Sequence, residues 1–226
     1  MQSTVPEAMA LTDFNSSFVT RIDEDISKYN CIGIGPGIGT AAETKKLLEQ
    51  VFHNYKKPLV LDADALNIIA SDNQWVRKIP QDSILTPHPK EFERLFGKSA
   101  TDFERLVLAQ EKAKELGLVI IVKGHHTIIA TPGGKTYFNS TGNAGMAKGG
   151  SGDVLSGILT ALVCQYHDSV KAAVFGVYLH GLAGDIAAEK YSMEAMTAGD
   201  LIENLGEAFV SIKINSSAEK GQPNGI

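Results

Sequence analysis

Four short apolar runs, at residues 31–35, 58–62, 83–86 and 118–123, are separated by longer stretches whose apolar residues recur every three or four positions. This alternation is the pattern of strands and crossover helices in a largely parallel sheet with helices packed on its faces. Two further runs, 127–130 and 135–139, flank Pro132, Gly133 and Gly134 and predict a hairpin. Helices are expected over 40–54, 90–96, 101–116, 151–165, 170–191 and 197–214. The closing residues 215–226 lack an apolar period and are expected to form a flexible tail. One α/β domain over residues 1–214 accounts for the chain of 226 residues.

Composition narrows the function classes. The chain is 43% hydrophobic and 21% charged with a formal net charge of −5, and has no run of lysine or arginine, which argues against a nucleic-acid partner. No basic region followed by an apolar core opens the sequence, and no apolar run approaches membrane length, so neither an export signal nor a membrane partner is expected. The two cysteines, Cys31 and Cys164, are far apart in apolar surroundings and read as reduced residues of a cytoplasmic protein.

Ligands of open α/β sheets bind at the carboxyl ends of the strands, and polar motifs fall there after each strand. After the first comes Gly33-Ile-Gly-Pro-Gly-Ile-Gly39-Thr40. It does not fit the dinucleotide fingerprint, because the third required glycine falls on Ile38 or on Thr40, and Pro36 lacks an N–H. A tight substrate-facing turn is the better reading. After the second comes Asp62-Ala-Asp64-Ala-Leu-Asn67, whose two acids share a side if the strand continues. Asp64 could hold a magnesium ion or a sugar hydroxyl, or cap a helix with Asn67 at its third position. After the third, two prolines hold His88 in a stiff extended segment suited to ligand contact. After the fourth, Lys123, Gly124, His125, His126 and Thr127 could present a cation, N–H groups and a hydroxyl to phosphates. The adjacent imidazoles should point apart and chelate metal poorly.

The segment 142–157 is the richest in chemistry, with six glycines in sixteen residues before an apolar helix. Ser151 or Asp153 can begin that helix, whose free N–H groups and dipole favour a phosphate at Gly149, Gly150, Ser151 and Gly152. Asp153 then stands beside the anion as a candidate base.

Five segments in order, Gly35-Pro-Gly-Ile-Gly39, Val60-Leu-Asp-Ala-Asp-Ala-Leu-Asn67, Leu85-Thr-Pro-His-Pro-Lys-Glu91, Lys123-Gly-His-His-Thr127 and Gly142-Asn-Ala-Gly-Met-Ala-Lys-Gly-Gly-Ser-Gly-Asp153, resemble the NAD(P)H-hydrate dehydratases of the ribokinase-like superfamily. The likeness spans nearly all of 5–210. It implies ADP- or ATP-dependent removal of water from hydrated NADH and NADPH, with Mg2+ as the expected bridge but no metal ligand assigned. The motif wording, similar to bacterial members, favours ADP. It further implies hydrate-substrate contacts at Gly37, Gly39, Asp64, Asn67, His88 and Asn143, nucleotide contacts at Lys123–Thr127 and Gly149–Gly152, and Asp153 as the catalytic residue.

Family members normally begin several dozen residues earlier, so the resemblance implies an N-terminally incomplete domain whose missing strands would leave a sheet edge exposed. Inactivity of the isolated chain and self-association, up to a tetramer, are the corresponding expectations. A small-molecule kinase of the same superfamily and a non-catalytic nucleotide-binding fragment remain the alternatives.

Overall fold

The computed structural model describes the backbone of residues 5–72 and 74–220 and side chains through residue 214. Its sheet has six strands in sequential order: β1 (Ile32–Ile34), β2 (Leu59–Leu61), β3 (Ile84–Leu85), β4 (Val119–Val122), β5 (Ile128–Ala130) and β6 (Thr136–Phe138). The first four are parallel, and β5 and β6 extend the sheet as an antiparallel meander. All six strands and the hairpin thus fall where the apolar runs place them.

Helices cover both faces. On one side lie α1 (Ala42–Asn54), α2 (Ala63–Ala70), α3 (Pro89–Phe96) and α4 (Asp102–Leu116). They pack on Leu59, Leu61, Leu85, Ile120 and Val122. On the other lie α5 (Ser151–Tyr166), α6 (Ser169–Ala195) and α7 (Ala198–Lys220), against Val60, Ile84, Val119, Ile121 and Ile129. Successive strand residues alternate between the two cores, as the period of two requires. Every β2 and β4 residue is buried, because helices press on both faces of these central strands.

Three readings change. Residues 62–67 do not prolong β2: Asp62 is the N-cap of α2, so Asp64 lies in the helix's first turn, Asn67 beyond the third position, and the two acids do not share a strand face. The capping carboxylate lies two residues before Asp64, because the strand stops at Leu61. Helix α7 continues past Ile214 to Lys220, where a tail was expected; 221–226 lie outside the described residues. Helix α6 is long and apolar enough to cross a membrane by length and composition alone. Half of that stretch is buried inside the fold, which makes it a core helix. Cys31 and Cys164 are free, and burial pushes the Cys31 thiol up to about 12.

Candidate active site

A cavity of about 720 Å³ opens between the β4–β5 turn, the 139–152 loop and the middle of α6. Of the expected site residues, His88, Lys123, Gly124, His125, Thr127, Asn143, Ser151 and Gly152 line it. Substrate-side and nucleotide-side candidates therefore share one chamber.

The start of α5 forms one end of it. Gly150 is the N-cap, with φ +90°, a conformation that favours glycine, and a Cβ there would also press on the Ala198 Cβ at 3.0 Å. No side chain caps this helix, and the N–H groups of Ser151, Gly152 and Asp153 have no hydrogen-bond acceptor among the described residues. Together with the helix dipole, they make a ready site for a phosphate. Lys123 brings the cation: a Cβ on Gly152 would lie 3.5 Å from its Nζ. Thr127 closes the same turn by donating from Oγ1 to the Gly124 carbonyl at 3.1 Å.

Asp153, the expected base, follows the lining residue Gly152 but is exposed and does not itself line the cavity. No partner holds its carboxylate among the described residues. Gly149, Gly150 and His126 also lie outside the lining. The imidazoles of His125 and His126 do not point apart: their rings meet edge to face with centroids 4.3 Å apart, since the segment turns rather than continuing as a strand.

Gly37, Gly39, Asp64 and Asn67 form a separate group beyond the cavity lining. The Gly39 N–H donates to Asp64 Oδ2 at 3.0 Å, and Asn67 Oδ1 accepts from Arg94 at 2.8 Å. The chain's N-terminal segment packs over this turn, with the Val19 N–H on the Ile38 carbonyl and Thr44 Oγ1 donating to Val19. His88 is the N-cap of α3: its Nδ1 accepts from the Lys90 and Glu91 N–H groups while Glu91 accepts from the His88 N–H, a reciprocal capping box. Its stiffness comes from this cap as well as from the prolines.

Sequence reasoning missed the residues of α6 that shape the chamber. Asp185 accepts from the Gly142 N–H at 2.8 Å and from Asn143 Nδ2 at 2.9 Å. Lys148 donates to the carbonyls of Met193, Glu194 and Met196, around the kink where Ser192 takes φ +65°. His180 lines the cavity and donates from Nε2 to the Ser151 carbonyl at 2.9 Å. A histidine within an apolar helical run signals such a buried contact only once the partner loop is located.

Burial depresses His180 from its ordinary 6.5 to about 4, against the opposing pull of the Ser151 carbonyl. The unfolded chain therefore binds this proton near 6.5 and the folded chain only near 4. Between those values the unfolded state holds more protons, so stability is complete above the upper value and lost as pH falls toward the lower. Urea denaturation across this window should reveal a loss of up to about 3 kcal/mol that His180→Asn lacks. Equal pH slopes in both proteins would remove His180 as the source.

Among the described residues no group of three or more His, Cys, Asp or Glu side chains could cage a metal ion. That donor set fits Mg2+ only as an ion carried chiefly by phosphate oxygens and water, its common mode with nucleotides.

Fold and cavity together define a ribokinase-like α/β protein with an uncapped helix start beside the cavity. A family model described as NAD(P)H-hydrate dehydratase matches residues 1–207, and the chain belongs to that family. The bifunctional NAD(P)H-hydrate repair enzyme Nnr of Moorella thermoacetica is 42% identical over 184 residues, 80% of this chain and 35% of that protein. The ADP-dependent (S)-NAD(P)H-hydrate dehydratase of Neisseria meningitidis is 38% identical, over 79% of this chain and 61% of its own length. The chain thus spans about a third of the first relative and about three fifths of the second. A crystal structure of the Bacillus subtilis ADP/ATP-dependent NAD(P)H-hydrate dehydratase, co-crystallized with ATP/Mg2+ and soaked with CoA, aligns with a TM-score of 0.78 at 32% identity. The alignment covers 93% of this chain and 76% of that one.

Proposed function

We propose that the chain carries out nucleotide-dependent dehydration of hydrated NADH and NADPH, with ADP or ATP as phosphoryl donor. The observation that carries this reading is the uncapped start of α5 beside Lys123, a site built for a phosphate at the mouth of a chamber large enough for a nucleotide. The names of the relatives supply the reaction class.

In this reading the N–H groups of Ser151 and Gly152 and the Lys123 ammonium bind the nucleotide's terminal phosphate, with Gly149, Gly150 and the 124–127 turn shaping its surroundings. Asp153 takes the proton of the ring hydroxyl as that oxygen attacks the terminal phosphoryl group, whose bridging P–O bond breaks to release AMP from ADP or ADP from ATP. The C–O bond then breaks with phosphate leaving, the ring nitrogen's lone pair forms an iminium, and transfer of the adjacent C–H proton to the released phosphate or to water restores the dihydronicotinamide. Phosphorylation turns a poor leaving group, hydroxide, into a good one. Charge on the moving phosphoryl group is offset by fixed donors, which dominate this chemistry. Mg2+, where bound, would supply charge neutralisation at the phosphates. The hydrated ring would lie toward His88, Asn143, Gly37, Gly39, Asp64 and Asn67.

Self-association and a cytoplasmic setting belong to the same proposal. The first is supported by Ile202, Val210 and Ile214, exposed along α7, and the second by the two free cysteines. Sedimentation velocity checks the first.

The test is a repair assay on hydrated NADH with ADP and ATP supplied separately. The expected result is return of the absorbance of reduced nicotinamide together with inorganic phosphate. A phosphorylated product that accumulates would instead identify a small-molecule kinase, and nucleotide binding without turnover a non-catalytic fragment.

A further inference from the structure

Asp62 was expected only as one of a pair of acids; the structure puts it at the meeting point of four motifs. Its side chain is 3% exposed and makes three contacts. Oδ1 accepts from Lys123 Nζ at 2.7 Å and from the Ala63 N–H at 2.9 Å, and Oδ2 accepts from Ser156 Oγ at 2.8 Å. Its backbone N–H donates to the Ile34 carbonyl at the end of β1. Gly152 closes the arrangement: a Cβ there would lie 3.5 Å from Lys123 Nζ and 3.6 Å from Asp62 Oδ2. The next residue, Ala63, adopts φ +46°, a conformation that costs a non-glycine residue about 1–2 kcal/mol. The turn is held there by the contacts Asp62 makes.

Resting on the function proposed above, we infer that Asp62 is a positioning residue for the nucleotide. Braced by Ser156 from α5 itself, its carboxylate fixes the Lys123 ammonium against the helix start and turns the lysine's remaining N–H groups toward the phosphate. A lysine head on its flexible stem is otherwise free among many rotamers, and ordering it in advance removes that entropy cost from binding. The alternative effect has the opposite sign. If Asp62 merely competed with phosphate for Lys123, neutralising it would strengthen nucleotide binding. The three fixed contacts and near-complete burial of the carboxylate favour the brace, because the acid cannot follow or release the lysine without losing its own partners.

The experiment is calorimetric titration of the full chain and of Asp62→Asn, Ser156→Ala, Lys123→Met and the double variant Asp62→Asn/Lys123→Met, with ADP, with ATP and with adenosine. Asp62→Asn should weaken ADP binding about tenfold and leave adenosine binding unchanged, since the brace acts only on phosphate. The double variant should bind ADP no more weakly than Lys123→Met, because Asp62 acts through the lysine. Ser156→Ala, which retains both charges, should cost about two- to threefold and carries the test if Asp62→Asn does not fold. Unchanged or tighter ADP binding, additive losses in the double variant, or a parallel loss of adenosine binding would each overturn the inference. Failure of the parent to bind ADP or ATP would overturn the proposed function with it; normal parent binding with an indifferent Asp62→Asn overturns this inference alone.

Discussion

Asp153→Asn is expected to lower repair turnover by about 10²–10⁴-fold, the range for loss of a general base, while ADP affinity stays within about twofold. Asparagine keeps the size and polarity of the side chain on the first turn of α5 and loses only the capacity to accept a proton. The N–H groups of Ser151 and Gly152 and the Lys123 ammonium, which would hold the phosphate, are untouched by the change. Carboxylates whose acceptor sites are filled by neighbours are poor bases, and Asp153 has no such neighbours among the described residues. Single-turnover rates measured beside ADP titrations provide the check. Turnover unchanged in the variant would remove Asp153 from the chemistry, and a parallel loss of ADP binding would make its role structural.

The second large effect is on folding. Gly35→Ala places a Cβ 1.8 Å from the Asp62 carbonyl oxygen and 2.6 Å from its carbon, at a residue whose φ is +146°. Both contacts are to backbone, so no side chain can rotate away, and β1 and β2 must separate where the Asp62 N–H bonds the Ile34 carbonyl. Overpacking and backbone strain together should cost about 3–5 kcal/mol, enough to leave a marginally stable domain largely unfolded. Urea midpoints of the two proteins measure this directly. A loss below about 1 kcal/mol would mean that the turn has a second arrangement available.

Elements set by local pattern were readable from the chain. Strands β2 and β4 are unbroken apolar runs because helices cover both of their faces, and α4 is bounded by a Thr101 cap and Gly117. Helix α2 was harder. Asp62 continues an apolar run, and only the end of β2 at Leu61 turns that aspartate from a strand residue into a cap. The candidate site divides in the same way. Lys123, Ser151 and Gly152 sit beside one another because each ends or begins an element at the same edge of the sheet, which the topology rule anticipates. His180, Asp185 and Lys148 act across separations of 29 to 48 residues, and no local spacing encodes such partners. The same holds for Asn143: its side-chain amide is spent on Gly184 and Asp185, a use invisible in the motif.

A stretch with this much glycine would be floppy on its own, yet the chamber's roof has little freedom left. It hangs from a single rod. Thr141 on the Tyr178 carbonyl, Asn143 on Asp185, Ser151 on His180 and Lys148 on the last carbonyls of the same helix space its attachment from Tyr178 to the C-terminal end of α6. Gly142, Gly145 and Gly150 then serve close approach, and the shape of the phosphate end follows a helix that is half buried against the core. Packing changes in the α6 core, remote from any ligand, would be transmitted to that roof as a change in its curvature.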